Sequence, residues 1–81
     1  MRADEVLKHL TREPFEPVRI SLSNGNRYDV LHPHMVIVSS RAIAIGQRAA
    51  PGFGQAEHLI YSSLDHVLRI DVLPKPRHAP G

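Results

Sequence analysis

Histidine has the widest chemical repertoire of the residue types in this chain, and six copies are present. His32 and His34 flank Pro33, so their imidazoles lie on one side of an extended segment, as a bidentate metal pair would require. A metal site needs further ligands, and Asp29 is the only obvious neighbour in the sequence. We therefore expect no metal site and no cofactor, while titration near neutrality leaves a pH-sensing role for the two histidines open.

A second cluster holds the residue types of a nucleophilic triad. Ser62, Ser63, Asp65 and His66 are close in sequence, but a triad must converge in space beside an oxyanion hole. On a one-turn connection these side chains point apart, so Ser63 or Asp65 is expected to cap that turn. The glycine-rich segment 52–54 lacks the lysine and the following helix of a phosphate-binding loop. The sequence therefore predicts no enzyme.

The charge balance excludes a strongly basic nucleic-acid surface on most of the chain. Ten Lys and Arg residues against eight Asp and Glu residues give a formal net charge of +2. Lys75 and Arg77 lie in the last eight residues, where there is no acid, so residues 1–73 hold eight bases and eight acids. Any nucleic-acid contact must therefore come from a local arrangement of arginines and not from overall charge.

The length of 81 residues predicts one domain, which we place at residues 1–73, before a disordered, basic, proline-rich tail at 74–81. A domain this small needs a disulfide, a metal or self-association to reach ordinary stability. Cysteine is absent, which excludes disulfides and suits a reducing compartment. Acidic residues near the start and the lack of a long apolar run predict no export signal and no membrane partner, so we expect a cytoplasmic location.

Periodicity and turn residues predict a short helix followed by five strands. The apolar residues of the helix, at 4–11, fall on one face, and Pro14 ends it. Phe15 is expected to plug a barrel mouth beneath the helix. Asn24-Gly25 between alternating runs predicts a hairpin with a type I′ turn. The predicted strands are 18–22, a sharply bent strand from 27 to 38 through Pro33, 42–45, 58–62 and 67–73. A flexible loop at 47–57 and a 3₁₀ turn at 63–66 connect the later strands.

This order of elements resembles the Sm-like proteins, and among them the bacterial Hfq branch most closely. Three segments carry the resemblance: the helix at 4–13, the strand at 17–25 that ends in Asn-Gly, and the strand–turn–strand block at 59–70. The resemblance covers residues 4–73. It implies a mainly β fold in which the N-terminal helix precedes a five-stranded, strongly bent antiparallel small barrel.

The resemblance also implies a homo-oligomeric ring, in which the fourth strand of one subunit pairs with the fifth strand of the next. The matching strands here contain no proline or lysine, the residues that commonly protect a free strand edge. A monomer in which the helix and the tail shield these edges is the alternative. The predicted interface residues are Leu59, Tyr61, Val67, Arg69 and Asp71.

Single-stranded RNA is the ligand that the resemblance implies, yet the usual pocket residues differ. Tyr61 matches the family's Tyr-Lys-His block, but Ser62 and Ser63 replace its lysine and histidine. Ser21 stands where the family has an aromatic residue on the other ring face, and segment 39–43 has neither an aspartate nor an aromatic residue. RNA sites of this kind need stacking side chains and a cationic groove, so a rim of arginines is what remains.

The sequence therefore predicts an Sm/Hfq-like oligomeric binding protein that contacts RNA through this rim. The alternative is a non-RNA module for protein interaction or structural oligomerisation, which uses the ring or the loop around Phe53. Repetition of a weak patch around a ring would raise its avidity. The predicted RNA-contacting residues are Arg12, Arg19, Arg27, Arg41, Arg48 and Tyr61.

Overall fold

The computed structural model describes residues 1–47 and 58–74. The predictions for Arg48, Phe53 and the rest of the loop, and for the tail beyond Pro74, lie outside the described residues. One helix precedes six strands, and two 3₁₀ turns interrupt them. The elements are α1 (Ala3–Leu10), β1 (Val18–Leu22), β2 (Arg27–Val30), the first 3₁₀ turn (Pro33–Met35), β3 (Val36–Val38), β4 (Ala42–Gln47), β5 (His58–Ser63), the second 3₁₀ turn (Leu64–His66) and β6 (Val67–Val72).

The strands form two three-stranded antiparallel sheets, which we call sheet A (order β2-β1-β6) and sheet B (order β3-β4-β5). The prediction of a mainly β fold behind one short N-terminal helix is therefore confirmed. The five-stranded barrel is not confirmed, because the strands of residues 1–47 and 58–74 number six and no strand pairing joins the two sheets.

Helix α1 covers one end of the core with a single buried side chain, Val6. Acidic residues occupy its first turn and basic residues its last turn, which is the arrangement that the helix dipole favours. Thr11 ends the helix: its backbone N–H and its hydroxyl both donate to the Leu7 carbonyl, at 2.9 and 2.8 Å. Phe15 is half-buried against the same core.

The β1–β2 hairpin forms with a different turn from the predicted one. The Leu22 N–H donates to the Asn26 carbonyl at 2.8 Å, and the Gly25 N–H donates back to the Leu22 carbonyl at 3.0 Å. Gly25 has φ of +92°, whereas Asn24 does not have positive φ. The loop is thus three residues long, with glycine alone in the left-handed region, as in a type I turn followed by a glycine bulge.

The prediction of one bent strand through Pro33 is wrong. Proline has no N–H to donate to a strand ladder and is tolerated at the start of a helical turn. Pro33 is accordingly the first residue of a 3₁₀ turn, which the Met35 N–H closes by donating to the His32 carbonyl at 3.1 Å. The chain leaves sheet A at Val30 and enters sheet B at Val36.

Both sheets contribute to one apolar core. Ile20 of β1 and Ile45 of β4 have no exposed surface, and Val6 of α1 and Val30 of β2 are equally buried. The same cluster includes Leu64 of the second 3₁₀ turn. The core therefore depends on contacts between residues that are far apart in sequence.

A β-bulge in β6 changes the predicted alternation of that strand. Leu22 pairs with Val67 and Ser21 pairs with Arg69, so Leu68 is an extra residue on β6. Because a bulge reverses the alternation, Val67 lies in the core at 4 % exposure while Arg69 points away from it. An uninterrupted strand would place Val67 and Arg69 on one face, and the bulge separates them.

The position of the core predicts that removing a methyl group lowers the stability of the fold more at a buried isoleucine than at an exposed one. Ile20→Val removes a methylene group from a fully buried side chain and should lower the free energy of unfolding by about 1 kcal/mol. Ile37→Val is the matched control, since Ile37 is 71 % exposed and should change stability little. Urea denaturation measures both, and equal losses for the two variants would contradict this placement of the core.

Candidate binding surfaces

The outer face of sheet A carries most of the charge in the strands. Val18, Ile20 and Leu22 of β1 point into the core, so the alternate residues and their cross-strand neighbours lie on the opposite face. The register arranges these residues in two rows across β2, β1 and β6. We call this surface the charged face; its members are Arg19, Ser21, Arg27, Asp29, Arg69 and Asp71.

The first row, Asp29–Arg19–Asp71, is largely self-neutralised. Arg19 donates from Nε to Asp29 Oδ1 at 2.8 Å and from Nη2 to Asp29 Oδ2 at 3.3 Å. This hydrogen bonding lowers the pKa of the Asp29 carboxyl and raises that of the Arg19 guanidinium. Asp71 instead accepts a hydrogen bond from Arg69 Nε at 2.9 Å, along its own strand. The ion pair between Arg69 and Asp71 therefore forms within one copy of β6.

The second row, Arg27–Ser21–Arg69, places a hydroxyl between two cations. Ser21 is only 6 % exposed, and its Oγ is buried without a hydrogen-bond partner. Arg27 has no carboxylate within 4.0 Å among the described residues. This row is not evident from the sequence, because the register that brings Arg27 and Arg69 to Ser21 depends on the hairpin loop and the bulge.

An open depression of about 380 Å³ lies next to these rows, lined by Arg19, Arg27, Asp29 and Gln47. Gln47 ends β4 of sheet B, so the depression spans the two sheets at this side of the molecule. Its lining combines amide, guanidinium and carboxylate groups, which suits a polar ligand.

The predicted arginine rim is only partly brought together. Arg19 and Arg27 lie on the charged face, whereas Arg12 follows α1 and holds Glu16 at 3.1 Å. Arg41 lies in the turn before β4 and has no ion pair among residues 1–47 and 58–74. Tyr61 lies on β5 of sheet B, whereas Arg19 and Arg27 lie on sheet A. Within one chain, the rim residues therefore occupy separate elements.

The outer edges of β5 and β6 carry exposed apolar side chains. Leu59 and Tyr61 of β5 are 53 % and 74 % exposed, and Leu68 of β6 is 66 % exposed. Each of these strands pairs on one side only in the described part of the chain. Of the predicted interface residues, Val67 is the exception, since it lies in the chain's own core.

The second 3₁₀ turn holds the predicted serine–histidine cluster in a structural arrangement. Ser63 Oγ accepts from the Asp65 N–H at 3.2 Å, which confirms its expected capping role. Ser23 donates its N–H to the His66 carbonyl at 2.8 Å, and its hydroxyl lies 3.1 Å from His66 Nδ1. An open pocket of about 470 Å³ adjoins these residues. No carboxylate hydrogen-bonds to His66 among the described residues, so the group that orients a catalytic histidine is missing there.

His32 and His34 stack face to face, with ring centroids 5.3 Å apart and an interplanar angle of 13°. Both are exposed. In residues 1–47 and 58–74, no group of three histidine, cysteine or acidic residues is placed to hold a metal ion.

Comparison with known proteins returns no match to a family model, a curated protein or a solved structure. The resemblance to Sm-like proteins therefore stays a prediction from the sequence. In the same described segments, no helix is long and apolar enough to cross a membrane.

The Arg19–Asp29 ion pair predicts that the wild type and Asp29→Asn differ in stability by an amount that depends on pH. Because folding lowers the pKa of Asp29 below its ordinary value of 3.8, the pair stabilises the folded state above that value and the effect is lost as the pH falls through the lowered pKa. The wild type should therefore melt slightly above Asp29→Asn at neutral pH, and the difference should shrink below pH 3.8 and vanish once Asp29 is protonated in the folded state. Asp65→Asn is the control, since Asp65 has no described ion pair. A gap that persists in acid would contradict the assignment.

Proposed function

We propose that this chain is an Sm-like, Hfq-like binding module that self-assembles by pairing β5 of one copy with β6 of the next. Among the described residues, β2 and β3 are edge strands as well; the observation that supports the proposal is that β5 and β6 each pair on one side only, at the edges of different sheets. Joining them would extend sheet A of one copy into sheet B of its neighbour. Since the two edges differ, the contact is head-to-tail and closes into a ring when the rotation permits.

Burial of apolar side chains favours this contact. Leu59, Tyr61 and Leu68 are all more than half exposed, and an edge strand with such residues tends to pair with another chain. Neither strand carries a lysine or a proline to oppose pairing. A domain of 81 residues has little core of its own, so self-association would add the stability that its size does not provide.

The order of the elements supports the Sm-like part of the proposal. The helix, the β1–β2 hairpin and the one-turn connection between β5 and β6 occur in the sequence order that the resemblance implies. β2 and β3, separated by the 3₁₀ turn at Pro33, occupy the stretch of the predicted second strand.

Single-stranded RNA is a second candidate ligand, favoured by two arginines that the structure leaves without acids. Arg27 and Arg41 have no ion pair among the described residues, unlike Arg12 and Arg19. A ring would repeat both cations in every subunit, which raises avidity without new contacts. A protein partner held by the apolar edge residues is the alternative that the same ring would serve.

Edge pairing predicts a discrete assembly in solution. Light scattering on a gel-filtration column should give a multiple of the 9.1 kDa chain mass that does not change with protein concentration. Tyr61→Lys should lower that mass, because lysine at a strand edge opposes pairing. The control is Ile37→Lys, which places the same charge at an equally exposed position, 71 % against 74 %, on the opposite edge of sheet B. A 9.1 kDa wild type, or equal behaviour of the two variants, would contradict the proposal.

The RNA candidate predicts steep salt dependence. Affinity for a short single-stranded RNA should fall with rising salt in proportion to the phosphates neutralised, and Arg27→Glu with Arg41→Glu should flatten that dependence. Fluorescence anisotropy at several salt concentrations measures both effects. Lys8→Glu serves as the control for charge, since Lys8 lies on α1. If RNA affinity changes neither with salt concentration nor in the double variant, a protein partner held by apolar contacts would be favoured instead.

A further inference from the structure

We infer that the charged face holds a binding site for one compact phosphate group, between Arg27 and Arg69 and above Ser21. The inference does not depend on self-assembly, because all three residues belong to sheet A of a single chain. It rests on the cross-strand row of these residues, on the burial of the serine hydroxyl, and on the acids that border the row.

The Ser21 hydroxyl is the first indication of a ligand. Its Oγ is buried and has no hydrogen-bond partner within residues 1–47 and 58–74, in a residue that is 94 % covered. A buried polar group without a partner destabilises the fold, so such groups in native proteins call for a physical explanation. A phosphate oxygen above the sheet would accept the Ser21 O–H and remove this cost.

The two arginines supply the charge that would hold the phosphate. Arg27 and Arg69 are the register partners of Ser21 on its two sides, and directly opposed residues on one face lie close enough for their side chains to meet. Among residues 1–47 and 58–74, Arg27 has no carboxylate within 4.0 Å, whereas Arg69 is paired with Asp71 through its Nε. The remaining guanidinium donors can bind phosphate oxygens in bidentate fashion.

The neighbouring row restricts the size of the anion. Asp29 and Asp71 lie beside the two arginines in the register, with Arg19 between them already bonded to Asp29. An extended polyanion that crossed both rows would run over these carboxylates, whereas a single phosphate group would stay within the row of Arg27, Ser21 and Arg69. Asp71 already accepts a hydrogen bond from Arg69 Nε at 2.9 Å, so the phosphate would use the remaining donors of Arg69. The arrangement therefore favours inorganic phosphate or a small phosphate monoester over a nucleic-acid backbone.

Access requires a small movement of side chains. Because Ser21 Oγ is covered, a ligand reaches it only when the stem of a flanking arginine swings aside. Arg27 and Arg69 are both exposed, so their long side chains can change rotamer without disturbing the core. Binding should therefore shift the resonances of β1, β2 and β6 and leave those of sheet B unchanged.

The test is a titration with inorganic phosphate at constant ionic strength, followed by the amide resonances of the full chain. We expect saturable shifts confined to sheet A, and affinity that falls about tenfold or more in Arg27→Gln and in Ser21→Ala, since each removes a hydrogen bond to a charged group. Arg2→Gln is the control, since Arg2 precedes α1 and pairs with Asp4. Shifts that do not saturate, or that are equal in Arg27→Gln and Arg2→Gln, would overturn the proposal.

Two further experiments distinguish a small phosphate compound from a nucleic-acid backbone, and this site from the proposed self-assembly. A methyl phosphate titration should reproduce the shifts of inorganic phosphate, whereas a short single-stranded RNA that binds more tightly through the same residues would overturn the assignment to a compact anion. Ser21→Ala should fold as well as the wild type, because it deletes a hydroxyl that has no partner. Repeating the titration on Tyr61→Lys should leave phosphate affinity unchanged, so failure of self-assembly and failure of this site are distinguishable.

Discussion

The pairing of β6 with β1 is the contact on which the rest of the structure depends. It brings the last described strand back to the first and makes β1 the central strand of sheet A. Ile20 of β1 can be fully buried only because β2 and β6 lie on either side of it. The same pairing leaves β6 at one edge of sheet A, as β5 is at one edge of sheet B; β2 and β3 are the other edge strands among the described residues. Strand edges with exposed apolar side chains favour association. The pairing of β6 with β1 therefore completes the core and also leaves the free edge of β6 that the proposed assembly uses.

The β1–β6 ladder also determines the charge pattern of the outer face. Its bulge at Leu68 places Val67 in the core and turns Arg69 to the side of Ser21. Arg69 then lies opposite Arg27 across the hydroxyl, while the acids are confined to the next row. Without the extra residue, Arg69 and Asp71 would not both lie on the outer face opposite Ser21 and Arg19 while Val67 lies in the core. One local irregularity therefore separates a self-neutralised row from a row with spare hydrogen-bond donors.

The elements that short-range patterns specify could be predicted from the sequence. Helix α1, the β1–β2 hairpin and the second 3₁₀ turn follow from periodicity, turn residues and the capping serine, and all three are found. The break at Pro33 and the bulge at Leu68 were missed, although both obey simple rules, because each depends on which strand lies alongside. The candidate phosphate site was invisible for the same reason: Ser21, Arg27 and Arg69 are separated in sequence and meet only through strand register. The sequence shows how many arginines there are, but only the structure shows that Arg12 and Arg19 are neutralised by ion pairs.

Residue-by-residue amide hydrogen exchange tests the central claim most directly, because it reads the unpaired edges themselves. A strand that pairs on one side only protects every second amide, whereas a strand paired on both sides protects all of them. The account predicts that β5 and β6 in the assembled protein are protected along their whole length, like the central strands β1 and β4. Protection that alternates along β5 and β6, with continuous protection only in β1 and β4, would show that these edges stay free and would contradict assembly through them.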